Sequence, residues 1–392
     1  MNLIGAEFKK IVSKKYVWIL ALLLALFYAY LILNLADNFS VVYSKRALQP
    51  VFQEIIDAAY DPQVQEYVIK NEFNVTFDEL QPMISPKITQ TIEQYQGKVY
   101  ERYDVAKELK EEAALRIESL VERNVTLNKM IQELKNEPDT PLNRYLLQQY
   151  TNMSKMEPNL TRWDDWIDIN NSMLPLLIAF VVILGTAGVY TGEYTSKMHG
   201  ILLTTKNGRS KLFSSKLLAS CLFAAIVVII FQALAALLYM HVYGLPFKNT
   251  PINSLTSFYK MPNTMWALQF YFCQLAGSLL GAIVLTAVIL CISSLCRSNL
   301  VSFFISGIYF AIGALYSLNV EGQYISSMRT IFADVSTFSL MSLTDVLGNG
   351  KVFIVGNHAI PTIGLTLITQ AVIFAVALLL TYVFYNRKEI IA

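Results

Sequence analysis

The chain has 392 residues, of which 54% are hydrophobic and 15% are charged. Soluble domains carry about a quarter charged residues, so this composition indicates an integral membrane protein. The net charge of +2 conceals an asymmetry, because residues 37–172 hold 15 Lys/Arg and 23 Asp/Glu. No basic patch with interleaved aromatic residues occurs, which excludes nucleic acid as a partner.

The N-terminus combines an amphipathic segment with a long apolar run. Residues 1–15 place apolar side chains at helical spacing among four lysines, which predicts an amphipathic interfacial helix lying in the membrane plane. Residues 16–36 are long enough to cross the hydrocarbon core as the first span. A cleaved signal peptide is the alternative, but the run exceeds a typical signal core and no small-residue cleavage site follows it.

Residues 37–172 are polar and predict an α-helical domain. Between residues 87 and 135 there is no proline and a single glycine. An apolar or small residue recurs there every seven positions: Ile92, Val99, Ala106, Ala113, Leu120, Leu127 and Leu134. This pattern predicts a coiled-coil seam along one long helix, with shorter flanking helices as its partner. The domain is interpreted either as a spacer bundle or as a gate or ligand-binding lid.

The rest of the chain alternates apolar runs with connections. Five further spans are predicted at 173–192, 217–243, 265–296, 298–318 and 360–386, with a loop at 193–216, an extracytoplasmic or re-entrant segment at 319–359 and a tail at 387–392. We therefore predict an all-α polytopic membrane protein with six transmembrane helices, an N-terminal elbow helix and a helical or coiled-coil domain.

The distribution of basic residues predicts the orientation. Twelve Lys/Arg fall on the side that holds both termini and the 193–216 loop, whereas the short loops on the other side hold four. By the positive-inside rule, the termini are cytoplasmic and residues 37–172 are extracytoplasmic. A bacterial plasma membrane fits this topology.

Motifs for chemistry are absent from the sequence. No GxxxxGK[ST] phosphate-binding loop occurs, so we expect ATP to be bound by a partner and this chain to be no enzyme. The three histidines have no metal-ligand spacing, and we predict no catalytic, cofactor or metal residues. Gly277 and Gly281 form a GxxxG pair, for which a dimer contact and ordinary intramolecular packing are both open.

The 193–216 loop differs from an ordinary basic connection. It contains five basic residues and a short apolar core. Here the chain resembles the permease subunits of ABC-2-type transporters, also called type V ABC exporters. Their pattern is a glutamate after the second helix, a short apolar coupling helix and a basic turn into the third helix. The matching residues are Glu193, then Ile201, Leu202 and Leu203, then Arg209 and Lys211.

The resemblance extends over the whole membrane part. Residues 1–15 resemble the connecting helix of that family, and residues 319–359 resemble its re-entrant helices. It implies a homo- or heterodimer of permeases, surrounded by membrane lipid, above two cytoplasmic ABC ATPase subunits that contact the six matching loop residues. The alternative for the loop, a positive-inside anchor alone, leaves its apolar core unexplained.

The function implied by the resemblance is that of a permease subunit of an ATP-driven exporter of a peptide, lipid or drug-like substrate. The alternative is a mechanotransmitting ABC membrane subunit, whose extracytoplasmic domain acts on a partner without transport. A channel or scaffold that works without an ATPase is a third interpretation. The large domain between the first two spans is a departure from many family members.

Overall fold

The fold is described from a computed structural model. It covers residues 3–37, 47–100, 103–156, 163–195, 210–243, 250–252, 258, 265–318, 334–343, 346–347, 352–355 and 358–387. Within these ranges the chain is nearly all helical, and six helices are long and apolar enough to cross a membrane. The predicted all-α fold with six spans is confirmed.

The chain begins with two consecutive helices, α1 (Leu3–Val12) and α2 (Lys15–Asp37). On α1, Glu7 and Ile11 are buried, whereas Lys9 and Lys10 are exposed. The indole of Trp18 donates a hydrogen bond to the carbonyl of Val12 across the turn, at 2.8 Å. This bond links the amphipathic helix to the first turn of the first span.

An insert domain, defined here as residues 47–156, follows the first span. Its elements are α3 (Phe52–Tyr60), α4 (Pro62–Lys70), α5 (Phe77–Leu80), α6 (Pro86–Glu93), a hairpin of β1 (Val99–Tyr100) and β2 (Tyr103–Asp104), α7 (Val105–Asn136) and α8 (Pro141–Ser154). Asp61 caps α4 by accepting from the amides of Gln63 and Val64, and Pro62 occupies the first turn, where its missing N–H costs least. The domain has hydrophobic clusters of its own, separate from that of the spans.

The continuous helix predicted from residue 87 onward is wrong. Gly97 adopts a φ of +76°, which favours glycine, and the β1–β2 hairpin separates α6 from α7. Along α7 the seam residues Ala113, Leu120 and Leu127 are buried. They face short helices of the same domain, since α7 packs against α3–α6 and α8. The heptad pattern therefore marks the core-facing side of α7, whose partners are shorter helices of the same domain. A coiled-coil geometry for this seam stays a prediction.

The membrane part follows. Its elements are α9 (Trp163–Thr186), α10 (Gly188–Thr195), α11 (Ser210–Tyr243), α12 (Ala267–Leu295), α13 (Asn299–Leu318), α14 (Thr337–Ser342), a hairpin of β3 (Val352–Val355) and β4 (His358–Pro361), and α15 (Thr362–Arg387). The candidate spans are α2, α9 with α10, α11, α12, α13 and α15. The helix of the second span already begins at Trp163 and that of the third at Ser210, so both start earlier than their predicted spans.

The predicted 319–359 segment contains α14, all of whose residues are buried. Helix α14 packs against α9, α12 and α13. The hairpin of β3 and β4 leads directly into α15, and α8 of the insert domain packs against β4. The position of this segment relative to the bilayer stays a prediction.

Candidate functional site

The site begins at a break in the second span. Helix α9 ends at Thr186 and α10 starts at Gly188, so carbonyls near residue 187 lose their helical partners. Ser293 of α12 replaces one of them by donating to the carbonyl of Ala187 at 2.8 Å. Its hydroxyl oxygen also lies 3.2 Å from the amide of Tyr190, which donates to it. One serine thus stabilises both sides of the break.

The same break provides a contact for the N-terminal segment. The ammonium of Lys14 donates to the carbonyl of Gly185 at 3.0 Å. Burial, together with the positive charge of Lys216, lowers the pKa of Lys14. Gly185 itself lies so close to Phe223 of α11 that an added Cβ would come within 2.4 Å of that ring. The segment between α1 and α2 is therefore held against the junction of α9 and α10.

Beyond the break, α10 carries Glu193 toward a group of charged side chains. We define the ion cluster as Glu7 and Lys10 of α1, Glu193 of α10 and Lys216 of α11. The ammonium of Lys216 lies 2.6 Å from Glu193 Oε1 and 2.9 Å from Glu7 Oε2. Lys10 Nζ lies 2.5 Å from Glu7 Oε1 and 3.8 Å from Glu193 Oε1. Two carboxylates and two ammonium groups thus form a neutral set that joins three helices.

Burial makes this cluster energetically demanding. The side chain of Lys216 is 1% exposed and that of Glu7 is 5% exposed. Burial pushes the pKa of Glu7 upward, but the charges and hydrogen bonds of Lys216 and Lys10 outweigh it, and the pKa is lowered overall. Charges removed from water are tolerated only where opposite charges and hydrogen bonds compensate them. The cluster is therefore stable only when its three helices are in place.

Aromatic and aliphatic side chains enclose the cluster. The Lys216 ammonium lies 5.6 Å from the centre of the Tyr190 ring, within the range of a cation–π interaction. Tyr190 in turn packs against Tyr385 of α15, with ring centres 5.3 Å apart. Leu212 and Leu290 complete this buried group. The ion cluster is thereby linked to the last span as well.

The comparison with known families identifies the chain. The family model described as ABC-2 family transporter protein matches residues 1–390. The chain belongs to this family. It is a membrane permease subunit of an ABC transporter, a multi-pass membrane protein that associates with ABC ATPases. No curated protein matches its sequence.

The structure describes two of the six predicted coupling residues of the permease. Glu193 is in the ion cluster, whereas Lys211 lies exposed in the first turn of α11. Ile201, Leu202, Leu203 and Arg209 lie outside the described residues. The ATPase contact of all six residues stays a prediction.

Sequence reasoning missed Glu7, Lys14, Lys216 and Ser293. A signal for Glu7 was present, because it falls one turn from both Ile4 and Ile11 on the apolar side of α1. An acid on the apolar stripe of a basic helix requires a buried cation. From the sequence, Lys216 was counted among the basic residues that set the orientation. Its burial could not be predicted, because it depends on where α1 packs.

The glycine pair of the permease packs within the chain. A Cβ on Gly277 would lie 2.6 Å from the carbonyl oxygen of Leu340, and one on Gly281 would lie 2.4 Å from Met341 Cγ. Both glycines thus let α14 approach α12 closely. This is intramolecular packing, one of the two roles that the sequence left open for the pair. Their role in a dimer contact stays a prediction.

Among the described residues, no three His, Cys, Asp or Glu side chains come together in a group that could hold a metal ion. The two carboxylates of the ion cluster are directed to lysines instead. The paired charges of the site thus join α1, α10 and α11.

Proposed function

We propose that this permease exports a substrate across a bacterial plasma membrane, driven by ATP hydrolysis in separate cytoplasmic ATPase subunits. In this proposal both termini and the loop between α10 and α11 face the cytoplasm, and the insert domain is extracytoplasmic. The distribution of basic residues supports this orientation. The observation that carries the proposal is the ion cluster, because it joins the helices on both sides of the loop.

The proposed movement follows from that connection. Glu193 lies on the last helical turn before the loop, and Lys216 lies in the second turn after it. Their contact at 2.6 Å closes the base of the loop, and Glu7 attaches α1 to the same point. A force on the loop therefore moves α1, α10 and α11 together, because separating them would expose uncompensated buried charges. In this proposal the three helices have two arrangements relative to the rest of the permease, and ATP binding in the partner ATPase favours one of them.

The coupling test changes the loop surface and leaves the ion cluster intact. We expect a variant with Leu202→Ala, Leu203→Ala, Arg209→Glu and Lys211→Glu to reach the membrane but to lose most ATPase association. The measurement is co-purification of the ATPase and its stimulated ATP hydrolysis. A control with Lys129→Glu and Lys135→Glu reverses two exposed charges of the insert domain instead. Unchanged association in the loop variant would refute the coupling role.

A second candidate function is mechanotransmission without transport. The observation that favours it is the packing of α8 against β4, which leads directly into the last span. Movement of α15 would then be passed to the insert domain. Deletion of residues 40–170 separates the two functions, since export that survives the deletion excludes the insert domain as an essential lever.

The net negative charge of residues 37–172, which include the insert domain, supports a proposal about the substrate. Residues 37–172 carry eight more acidic than basic residues, which would concentrate a cationic peptide near the permease. We expect a basic peptide to bind the full permease at low salt and to dissociate at high salt. The variant lacking residues 40–170 is the control. Equal binding by that variant would exclude the insert as the binding surface and leave lipid or drug-like substrates.

A further inference from the structure

A cavity outside the ion cluster lies between α13, α14 and α15. It has a volume of about 270 Å³. Its lining residues come from three short stretches: Tyr309, Phe310, Ile312, Gly313 and Tyr316; Val335, Ser336, Thr337 and Phe338; Thr369, Gln370 and Ile373. Helices α13 and α15 are both candidate spans. This side cavity is thus lined by two candidate spans, by the buried helix α14 and by the two residues that precede α14.

The outer edge of the side cavity is continuous with the lipid-facing surface of the spans. Ile312 is 49% exposed, and its neighbours Ile308 and Leu315 on α13 are exposed as well. On α15, Ile368 and Val372 are exposed beside the lining residues. Exposed isoleucine, leucine and valine on membrane spans contact hydrocarbon chains. Hydrocarbon therefore has direct access to the cavity.

The inner wall of the side cavity contains polar atoms that are already paired. Tyr309 shares a hydrogen bond with Thr337 at 2.9 Å, and Thr337 donates to Gln370 Oε1 at 3.0 Å. The amide of Gln370 donates to the carbonyl of Val335 at 2.6 Å. These groups need no polar ligand, since their partners belong to the protein. The cavity therefore suits an apolar occupant.

The size of the side cavity narrows the type of occupant. Pockets for drug-sized ligands typically span about 300–1,000 Å³, whereas a cavity of about 150 Å³ already holds a benzene molecule. A volume of about 270 Å³ accommodates a segment of a flexible chain. A lipid headgroup would need unpaired polar partners, whereas Tyr309, Thr337 and Gln370 of the described wall are already paired within the protein.

We propose that the side cavity binds the acyl chain of a membrane lipid, inserted between α13 and α15 against α14. The chain fills the space beside Phe338 and Val335 and thereby supports the buried helix. Recognition is by the hydrocarbon, so the headgroup is interchangeable. This site is independent of the coupling role of the ion cluster.

The test uses the full permease in nanodiscs with a phosphatidylglycerol that carries a photoreactive diazirine midway along one acyl chain. We expect adducts on the lining residues of α13 and α15 in preference to Ile308, Ile368 and Val372 outside the cavity; these lining residues are Tyr309, Ile312, Tyr316, Thr369, Gln370 and Ile373. Thr369→Phe fills the cavity and should lower these adducts at least fivefold, and Ile373→Phe serves as a second filling variant. Val372→Phe is the matched control, since Val372 is on the same helix but exposed outside the cavity, and its adducts should stay within twofold.

Three results would overturn the proposal. Adducts spread evenly over Ile308, Ile368 and Val372, and unchanged by either filling variant, would show ordinary annular lipid. A labelling yield that changes more than threefold when phosphatidylethanolamine or phosphatidylcholine replaces phosphatidylglycerol would show headgroup recognition. Efficient disulfide formation between two copies of Ile312→Cys, in a background without other cysteines, would show that a second permease covers the cavity.

Discussion

The two ends of the membrane part are held together by different chemistry. At one end the ion cluster joins α1, α10 and α11 through Glu7, Glu193 and Lys216. At the other end neutral side chains hold α14, which we define as the neutral network: Gln232, Ser278, Tyr309, Thr337, Thr366 and Gln370. Both sets are buried or partly buried and both join elements that are distant in sequence.

The difference lies in how each set responds to a loss. Removing one member of a buried charge pair leaves the other charge uncompensated, at a cost of about 3–5 kcal/mol. Removing a neutral hydrogen-bond partner costs about 1–3 kcal/mol, because only a dipole is left unpaired. The ion cluster should therefore behave as a unit, whereas the neutral network should lose stability in steps. Such a contrast suits a rigid joint at one end and an adjustable segment at the other.

The largest expected effect comes from Lys216→Met. Two buried carboxylates then lose their shared cation, and we expect the free energy of unfolding to fall by about 3–5 kcal/mol. SDS titration of the purified permease measures it. Lys211→Met on the same helix is the control and should change stability by less than about 0.5 kcal/mol, because Lys211 is exposed.

A triple variant sharpens this result. Combining Lys216→Met with Glu7→Gln and Glu193→Gln removes the three buried charges of the cluster and leaves only the exposed Lys10. We expect this variant to recover most of the stability lost in Lys216→Met. Additive losses from the three substitutions would contradict the view that the cluster acts as a unit.

The next largest effect should come from the close packing of α12 against α14. Gly277→Ala brings a Cβ to 2.6 Å from the backbone oxygen of Leu340, which cannot move without shifting α14. We expect a loss of about 1–3 kcal/mol in the same SDS titration. Gly281→Ala should cost less, since its nearest neighbour is the flexible side chain of Met341. Gly307→Ala has no neighbour within 4 Å and should be neutral or stabilising.

The neutral network is probed by Gln370→Leu. The carbonyl of Val335 and the hydroxyl of Thr337 then lose a partner, so we expect a loss of about 1–3 kcal/mol. Ala371→Leu at the neighbouring exposed position is the control and should stay within about 0.5 kcal/mol. A loss as large as that of Lys216→Met would remove the distinction between the two ends.

Of the two regions compared, only the ion cluster should respond to acid. The pKa of Glu7 is lowered from its ordinary value of 4.5, so the unfolded chain binds the proton more tightly. The stabilisation from Glu7 is therefore complete above pH 4.5 and is lost as the pH falls through the lower, folded-state pKa. Unfolding measured from about pH 5 downward should show this decline in the wild type, and Glu7→Gln should reduce it. Gln370→Leu should leave the slope unchanged.

Much of the membrane part could be predicted from the sequence. Span number follows from the length of apolar runs, and each run is a local property of the chain. The GxxxG pair indicated close helix approach, although only the structure shows that the neighbour of Gly277 and Gly281 is α14. Periodicity also identified the buried side of α7.

The remaining features depend on distant parts of the chain. The heptad pattern continued through residue 99, where Gly97 and the hairpin interrupt the helix, because a sevenfold repeat records side-chain type and not backbone continuity. Likewise, the sequence around Lys216 indicates a surface lysine, because its burial results from the packing of α1 against α11. Its partner Glu7 is separated from it by 209 positions, and no local pattern encodes that contact.

That separation has a consequence for biosynthesis. Glu7 leaves the ribosome 209 residues before Lys216, and Glu193 leaves it 23 residues before. During that interval the N-terminal helix has no buried lysine of the third span to dock against. The permease therefore cannot complete the joint between α1, α10 and α11 until Lys216 has been synthesised, and before that point Glu7 and Glu193 lack the cation that they share.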